Sequence, residues 1–217
     1  DGIMYDNTAP NDIITVYDGS VTNDDAVYCK NSSQITANWP TSVDNESGIK
    51  RYFVSIKDGF DNPVVSDVNI GLVLSTTIIN LSLTEGVTYK TGVYAENNLG
   101  LTSTIKWSNG MIVDVSSPVS PGYVYDGLSG DAGYSSLTNT LSANWGLGYD
   151  ASGIKQYWYS ISTTSIVNSP KLVDWTTVYM PTQVSTFVTV TGLTLQSGVT
   201  YYFNVMTEDY AGYQSST

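Results

Sequence analysis

Carboxylate side chains cluster in one turn of the sequence, where Asp44 and Glu46 flank Asn45. A second turn places Asp150 at the position that matches Asp44. Calcium takes six or more hard oxygen ligands, of the kind that carboxylates and amide carbonyls offer. The spacing differs from that of an EF-hand loop, so further oxygens would have to come from other loops. Asp44, Glu46 and Asp150 are therefore calcium candidates or, alternatively, solvated turn residues, and we predict no other cofactor.

Paired carboxylates can also cleave glycosidic bonds when they face each other across a cleft at roughly 5 to 10 Å. The candidate acids fall in turns, and the pattern indicates no cleft around them. The 217-residue chain has no histidine and one cysteine, Cys29. Nucleophile systems that need histidine and imidazole metal sites are thereby excluded. We predict that the chain is not an enzyme.

Aromatic side chains in the second half of the chain form the other candidate contact surface. Strand alternation predicts that Trp158 and Tyr202 point away from the core on one face of a sheet. Trp175 and Tyr179 lie in the following segment and could join them. An outward aromatic strip can stack on sugar rings or pack against another subunit. In the alternative, the segment carrying Trp175 covers Trp158 within its own domain.

The charge balance limits the partners of the chain. There are 20 acidic and 8 basic residues, giving a formal charge of −12. Such a surface repels phosphate backbones and anionic lipid headgroups, so we predict no nucleic-acid partner. No run approaches the roughly 20 apolar residues of a membrane helix, so we predict no membrane insertion. Because charged residues are only 13% of the chain, the composition fits a secreted, β-rich surface protein, and we expect an extracellular or cell-surface location.

Short alternating runs position these side chains, and helical periodicity is missing. Alternate residues of Tyr52–Ile56 share one face, and Tyr157–Ile161 repeats the arrangement. Turn signals such as Asp58-Gly59 separate the runs. The pattern predicts an all-β chain of antiparallel β-sandwiches. The expected core residues are Trp39, Tyr52, Val54, Leu83, Tyr89, Val93, Trp145, Tyr157, Tyr159, Leu195, Tyr201 and Val205.

Four short motifs occur twice, at offsets of about 105 to 112 residues, so each copy has the size of one domain. The pairs are Val16–Gly19 and Val124–Gly127, Ala37–Trp39 and Ala143–Trp145, Ser47–Lys50 and Ser152–Lys155, and Gly86–Tyr89 and Gly198–Tyr201. Residues 1–6 match residues 109–114, which are the last segment of the first copy. The match predicts that residues 1–6 are the final-strand remnant of a preceding repeat. Repeat 1 then spans 7–114 and repeat 2 spans 115–217. Since residues 215–217 align with 103–105, repeat 2 is expected to lack its last strand.

The segments Leu83–Tyr89 and Leu195–Tyr201 resemble the turn into strand F of fibronectin type III domains. The resemblance implies that the tyrosine ending each segment forms a tyrosine corner, its hydroxyl bonding to backbone a few residues upstream. Trp39 and Trp145 are similar to the tryptophan of the family's strand B. A narrower resemblance is to repeats of large secreted bacterial surface proteins, through the Val-x-Asp-Gly starts and the Ser-Gly-Ile turns.

These features predict two tandem fibronectin type III-like sandwiches that serve as a structural or adhesive segment of a long cell-surface protein or filament. The expected partners are neighbouring repeats of the same protein, through homo-oligomer or filament contacts that include strand sharing. Two alternatives stay open at this point. The chain could be a spacer array of a secreted multidomain enzyme, or a carbohydrate-binding module that binds glycans through the aromatic residues of repeat 2.

Overall fold

The computed structural model of the protein describes residues 1–166, 170–178 and 185–217. The chain divides into two compact units, Asp1–Val115 (unit 1) and Ser116–Thr217 (unit 2). The described residues of both form strands and no helix, so the all-β prediction is confirmed. No helix there is long and apolar enough to cross a membrane.

Unit 1 is a sandwich of two sheets. Its described strands are β1 (Tyr17–Asp18), β2 (Tyr28–Cys29), β3 (Gln34–Asn38), β4 (Ile49–Asp58), β5 (Pro63–Gly71), β6 (Ser75–Ile79), β7 (Thr88–Asn97), β8 (Lys106–Trp107) and β9 (Met111–Val113). One sheet has the order β1-β3-β6, and the other has the order β2-β9-β7-β4-β5 with β8 beside β7. The pairing of β2 with β9 is parallel, and the other pairings are antiparallel.

Unit 2 repeats the central part of this arrangement. Its described strands are β10 (Val124–Asp126), β11 (Leu141–Trp145), β12 (Ile154–Ser162), β13 (Lys171–Thr177), β14 (Phe187–Val190) and β15 (Tyr202–Asp209). They form the antiparallel sheets β10-β11-β14 and β13-β12-β15.

The core of each unit lies between its two sheets, because alternate side chains of the facing strands point inward. In unit 1, Trp39 contacts Tyr52 with ring centroids 6.0 Å apart, and in unit 2 Trp145 contacts Tyr157 at 5.6 Å. Ten of the twelve expected core residues are buried. The other two, Leu195 and Tyr201, are half-buried, and Tyr201 packs against the core of unit 2.

Both tyrosine corners are confirmed. The backbone N–H of Thr84 donates to the Tyr89 hydroxyl at 3.0 Å, and the N–H of Gln196 donates to the Tyr201 hydroxyl at 2.9 Å. In each unit the contact ties the turn to the start of the strand that follows, which explains why the same seven-residue segment recurs.

Candidate functional site

The acidic turn of unit 1 is organised by the carboxylate of Asp44. Its Oδ1 accepts hydrogen bonds from the backbone N–H groups of Ser47 at 2.8 Å, Gly48 at 3.1 Å and Glu46 at 3.2 Å. An aspartate that bonds its own following backbone in this way favours a turn over continued strand. The oxygens of Asp44, Glu46 and Asp6 lie within 4.8 Å of one another. The structure therefore brings two of the predicted calcium candidates together with a third acid.

A buried amide, Asn97 at the end of β7, connects this acidic group. Its Nδ2 donates to Oδ2 of Asp44 at 3.1 Å, to Oδ2 of Asp6 at 3.2 Å and to the carbonyl of Thr8 at 3.1 Å. Although burial acts in the opposite direction, the Asn97 amide and the backbone donors lower the pKa of Asp44. The carboxylates of Asp44 and Asp6 are thus stabilised in their charged form by neutral donors. Sequence reasoning missed Asn97, because its partners lie 53 and more residues away along the chain.

The corresponding turn of unit 2 differs at one decisive position. Asp150 Oδ1 accepts from the backbone N–H of Ser152 at 2.7 Å and from its hydroxyl at 2.8 Å. Asp209 takes the place of Asn97, and one of its carboxylate oxygens lies within 4.8 Å of an oxygen of Asp150. Asp209 Oδ1 accepts the N–H of Tyr213 at 2.8 Å, so this carboxylate also shapes its own turn. An acidic group alone does not define a metal site, so the two interpretations of these acids, as calcium ligands or as turn residues, both stay predictions.

Trp158, the first of the predicted surface aromatics, is half-buried on β12. Its Nε1 donates to Oε2 of Glu208, and the same carboxylate accepts from Lys155 at 2.9 Å and from Gln156 at 2.8 Å. Burial acts against ionisation of Glu208, but these three donors outweigh it and lower the pKa of that carboxyl. The indole is therefore held in place at its nitrogen.

The other predicted aromatics are not brought into ring contact with Trp158 in the described part of the chain. Trp175 is half-buried, with Lys171 Nζ 5.7 Å from its ring centroid. Tyr202 is 38% exposed. Tyr179 lies outside the described residues. Glycan binding by this strip stays a prediction.

A tryptophan that the sequence reasoning overlooked covers the outer face of the larger sheet of unit 1. Trp107 packs on Gly92, where an added Cβ would lie 2.8 Å from the indole carbons. Lys57 Nζ lies 4.2 Å from its ring centroid, within the range of a cation–π contact. Both residues line a small cavity of about 190 Å³ that Asp61 and Asp67 also border. Cavities that hold drug-sized ligands are usually about 300 Å³ or more, so this one is small for such a ligand.

No family model and no curated protein matches the sequence. Solved structures do match. The FN1–FN3 domains of chicken CNTN1 give a TM-score of 0.52 at 16% identity, covering 97% of this chain and 65% of that chain. Domains A168–A170 from titin give a TM-score of 0.57 at 15% identity, covering 95% of this chain and 63% of that chain. The chain thus spans a little under two thirds of these multidomain fragments.

At these identities the likeness shows the fold alone. Together with the two sheets of each unit, it defines the class of protein: tandem β-sandwich domains of the fibronectin type III-like and immunoglobulin-like kind. The predicted fold class is confirmed.

Proposed function

We propose that this chain is a non-catalytic connecting segment of a longer extracellular or cell-surface protein. The observation that carries the proposal is that the carboxylates of three of its turns are engaged in holding the backbone of those turns. Asp44, Asp150 and Asp58 each accept backbone N–H groups of the turn that follows them. A carboxylate engaged in this way stabilises a loop and is poorly placed to act as a nucleophile or a general base.

The two units also repeat their internal contacts, as successive members of an array do. In unit 1, Asn38 Nδ2 donates to the carbonyl of Gly19 at 3.1 Å. In unit 2, Asn144 Nδ2 donates to the carbonyl of Gly127 at 2.9 Å. These bonds join the Ala-Asn-Trp strand to the Val-Tyr-Asp-Gly strand in each copy. Both motifs are therefore explained by folding, and neither needs a ligand to account for its recurrence.

The extracellular location is supported by composition: the charged fraction is 13%, and a net charge of −12 does not favour anionic partners. The narrower origin, a large bacterial surface protein, rests on the sequence resemblance alone. Adhesion to a glycan or a protein would be a property of particular surfaces added to this connecting role.

Antibody labelling of intact source cells tests the proposal on the full protein. We expect antibodies raised against the chain to label unpermeabilised cells, and we expect brief external protease treatment to remove the label. An antibody against a cytoplasmic protein of the same cells is the control for integrity. Labelling of the chain only after permeabilisation would overturn the proposal.

A further inference from the structure

The pair Asn109-Gly110 lies between β8 and β9 of unit 1, and it is the only Asn-Gly pair in the sequence. Asn109 is exposed, whereas Ser108 before it is buried. A glycine after asparagine leaves the side-chain amide open to attack by the next backbone nitrogen, because no Cβ shields that nitrogen. By sequence, Asn109 is therefore the residue at which this chain most readily modifies itself.

The fold requires a glycine at position 110. Gly110 has a φ of 98°, in the left-handed region that is unfavourable for other residues. A Cβ there would lie 2.8 Å from Thr88 Cγ2 and 3.0 Å from the Tyr89 carbonyl oxygen. The close approach of this segment to β7 therefore explains the glycine, and with it the reactive pair.

Both neighbours of Asn109 are anchored by hydrogen bonds. The N–H of Ser108 donates to the Thr91 carbonyl at 2.9 Å, and the N–H of Thr91 donates to Ser108 Oγ at 3.0 Å. On the other side, the N–H of Gly110 donates to Oδ2 of Asp18 at 2.9 Å. Thr91 belongs to β7 and Asp18 to β1, so Asn109 lies between one anchor in each sheet.

The hydrogen bond to Asp18 involves the nitrogen that would attack. For ring closure, the Gly110 nitrogen must lose its proton and bond to Asn109 Cγ in the direction in which its N–H points, and Oδ2 of Asp18 occupies that direction. Burial raises the pKa of Asp18 to about 6, so this carboxyl is mostly charged at neutral pH. Loss of the amide proton would then place two negative charges side by side, which is unfavourable. The contact therefore blocks the attack, and its separation permits it.

We propose that Asn109 is a self-modification site, which the contact between Gly110 and Asp18 keeps inactive and which local opening between β8 and β9 activates. The Gly110 nitrogen then bonds to Asn109 Cγ, the bond from Cγ to Nδ2 breaks, and ammonia leaves with the amide proton. Water opens the resulting cyclic imide to aspartate or isoaspartate. Water is the only co-reactant, and no atom is oxidised or reduced.

The modification is a one-way response to opening. In isoaspartate the main chain runs through Cγ, so one further carbon atom separates Ser108 from Gly110. Because Ser108 is bonded to β7 and Gly110 to β1, we expect that the longer chain cannot keep both anchors. Met111 and Val113, which are 3% and 1% exposed, follow directly and fill the core. A modified unit 1 should therefore melt at a lower temperature, even after the cause of opening has been removed.

A second Asn-Gly pair in the same chain provides an internal reference. Ser197→Asn places an asparagine before Gly198, which is exposed, has a φ of 81°, and has nothing within 4 Å of an added Cβ. Peptide mapping by mass spectrometry after incubation at neutral pH measures both sites in one sample. In the folded chain we expect Asn109 to react roughly tenfold or more slowly than the introduced site, because its contact must open first. In strong denaturant the two rates should be alike.

Asp18→Ala, made in the Ser197→Asn background, tests the contact itself by removing the acceptor of the Gly110 N–H. We expect the rate at Asn109 to approach that of the introduced site. Asp25→Ala is the matched control, because the Asp25 carboxylate accepts the backbone N–H of Asp18 at 2.9 Å and its loss leaves the Asp18 carboxyl in place. Equal rates at both sites before Asp18 is changed, or an unchanged rate at Asn109 in folded Asp18→Ala, overturn the proposal.

Amide hydrogen exchange keeps the test decisive if Asp18→Ala does not fold. In the wild-type chain, urea below the unfolding transition should raise the exchange rate of the Gly110 N–H and the modification rate of Asn109 in parallel, since both require the same opening. A modification rate that stays constant while exchange accelerates contradicts the proposal. Each of these results is independent of the surface-labelling test of the connecting role.

Discussion

The backbone N–H of Gly110 donates a 2.9 Å hydrogen bond to Oδ2 of Asp18, a carboxyl group that is completely buried in unit 1. The contact joins the residue before β9 to the end of β1, which belong to different sheets. Burial raises the pKa of Asp18 to about 6, although hydrogen bonds from Ser108 and Gly110 act in the opposite direction. The contact between Gly110 and Asp18, which connects the two sheets of unit 1, therefore depends on the protonation state of Asp18.

The stability of unit 1 should depend on pH through Asp18. Its folded pKa exceeds the ordinary value of 3.8, so the folded state holds the proton more tightly than the unfolded state. The associated stability is fully present below about pH 4 and is lost as the pH rises through about 6, with a total on the order of 2 to 3 kcal/mol. We expect Asp18→Asn, which is neutral throughout, to be more stable than wild type at pH 8 and similar to it at pH 4.

Calorimetric melting of both chains between pH 4 and pH 8 measures this difference. Asp24→Asn is the matched control, because it removes the same charge from an exposed position in the neighbouring loop. A difference between wild type and Asp18→Asn that stays constant with pH would contradict the assignment.

Gly110→Ala should destabilise unit 1 more than Gly86→Ala does. Both glycines have a positive φ, 98° and 77°, which is unfavourable for alanine by about 1 kcal/mol. A Cβ on Gly110 would also lie 2.8 Å from Thr88 Cγ2 and 3.0 Å from the Tyr89 carbonyl, whereas a Cβ on Gly86 would contact nothing within 4 Å. In chemical denaturation, we expect the free energy of unfolding to fall by about 2 to 4 kcal/mol for Gly110→Ala and by about 1 kcal/mol for Gly86→Ala. Equal losses would show that the close approach at Gly110 relaxes without cost.

Tyr89→Phe should lower the stability of unit 1 by about 1 kcal/mol, because the N–H of Thr84 loses its acceptor. Tyr201→Phe should cost unit 2 less, since Tyr201 is half-buried and water can replace the hydroxyl. Tyr5→Phe, at an 80% exposed residue, is the control and should leave the free energy of unfolding unchanged. Urea unfolding of the three variants compares them, and a larger effect at Tyr201 than at Tyr89 would refute the argument from burial.

Asn97→Asp should destabilise unit 1 by about 2 to 4 kcal/mol. The change removes the donor that Asp6, Asp44 and the Thr8 carbonyl share, and it places a third negative charge beside two carboxylates. Asn109→Asp adds the same charge at an exposed position and should be nearly neutral. Thermal melting at low salt compares the stability of the Asn97→Asp and Asn109→Asp variants. Equal melting temperatures would show that the Asn97 amide has no structural role.

The hydrogen bonds of Asn97 to Asp6 and Asp44 lead us to expect that calcium leaves the melting temperature of unit 1 in the wild-type chain unchanged. The Asn97 amide already donates to Asp6 and Asp44, so the ion would have to displace a satisfied donor. Melting in calcium and in chelator checks this expectation. A higher melting temperature in calcium would identify these acids as ligands after all.

Much of the fold could be predicted because its determinants are local. Alternation placed Tyr52 and Val54 inside, and a seven-residue segment was enough to predict the corner at Tyr89. Contacts between distant segments were the part that sequence reasoning could not supply. The role of Asn97 depends on Asp6, 91 residues earlier, and the packing of Trp107 depends on the absence of a side chain at Gly92.

Leu195 and Tyr201 are less deeply buried than predicted for a related reason. Their segment has the same pattern as Leu83–Tyr89, but a side chain is buried only if something covers it. In unit 1 the cover includes Met111 and Val113, and the described part of unit 2 has no equivalent strand. A repeat pattern thus predicts which face a residue occupies more reliably than how deeply it is buried.

The amide of Asn97 has a mechanical consequence. Tension that enters unit 1 from its N-terminal side first straightens residues 1–5, all of which are exposed and none of which belongs to a strand. The load then reaches Asp6 and Thr8, where two hydrogen bonds from the Asn97 side chain hold the leading segment to β7. A third bond anchors the same amide to the Asp44 turn. Because one amide carries both bonds to the leading segment, the two bonds share the load. We therefore expect these bonds to resist tension before it reaches the backbone contact of Asn11 with Val43 and the buried Ile13.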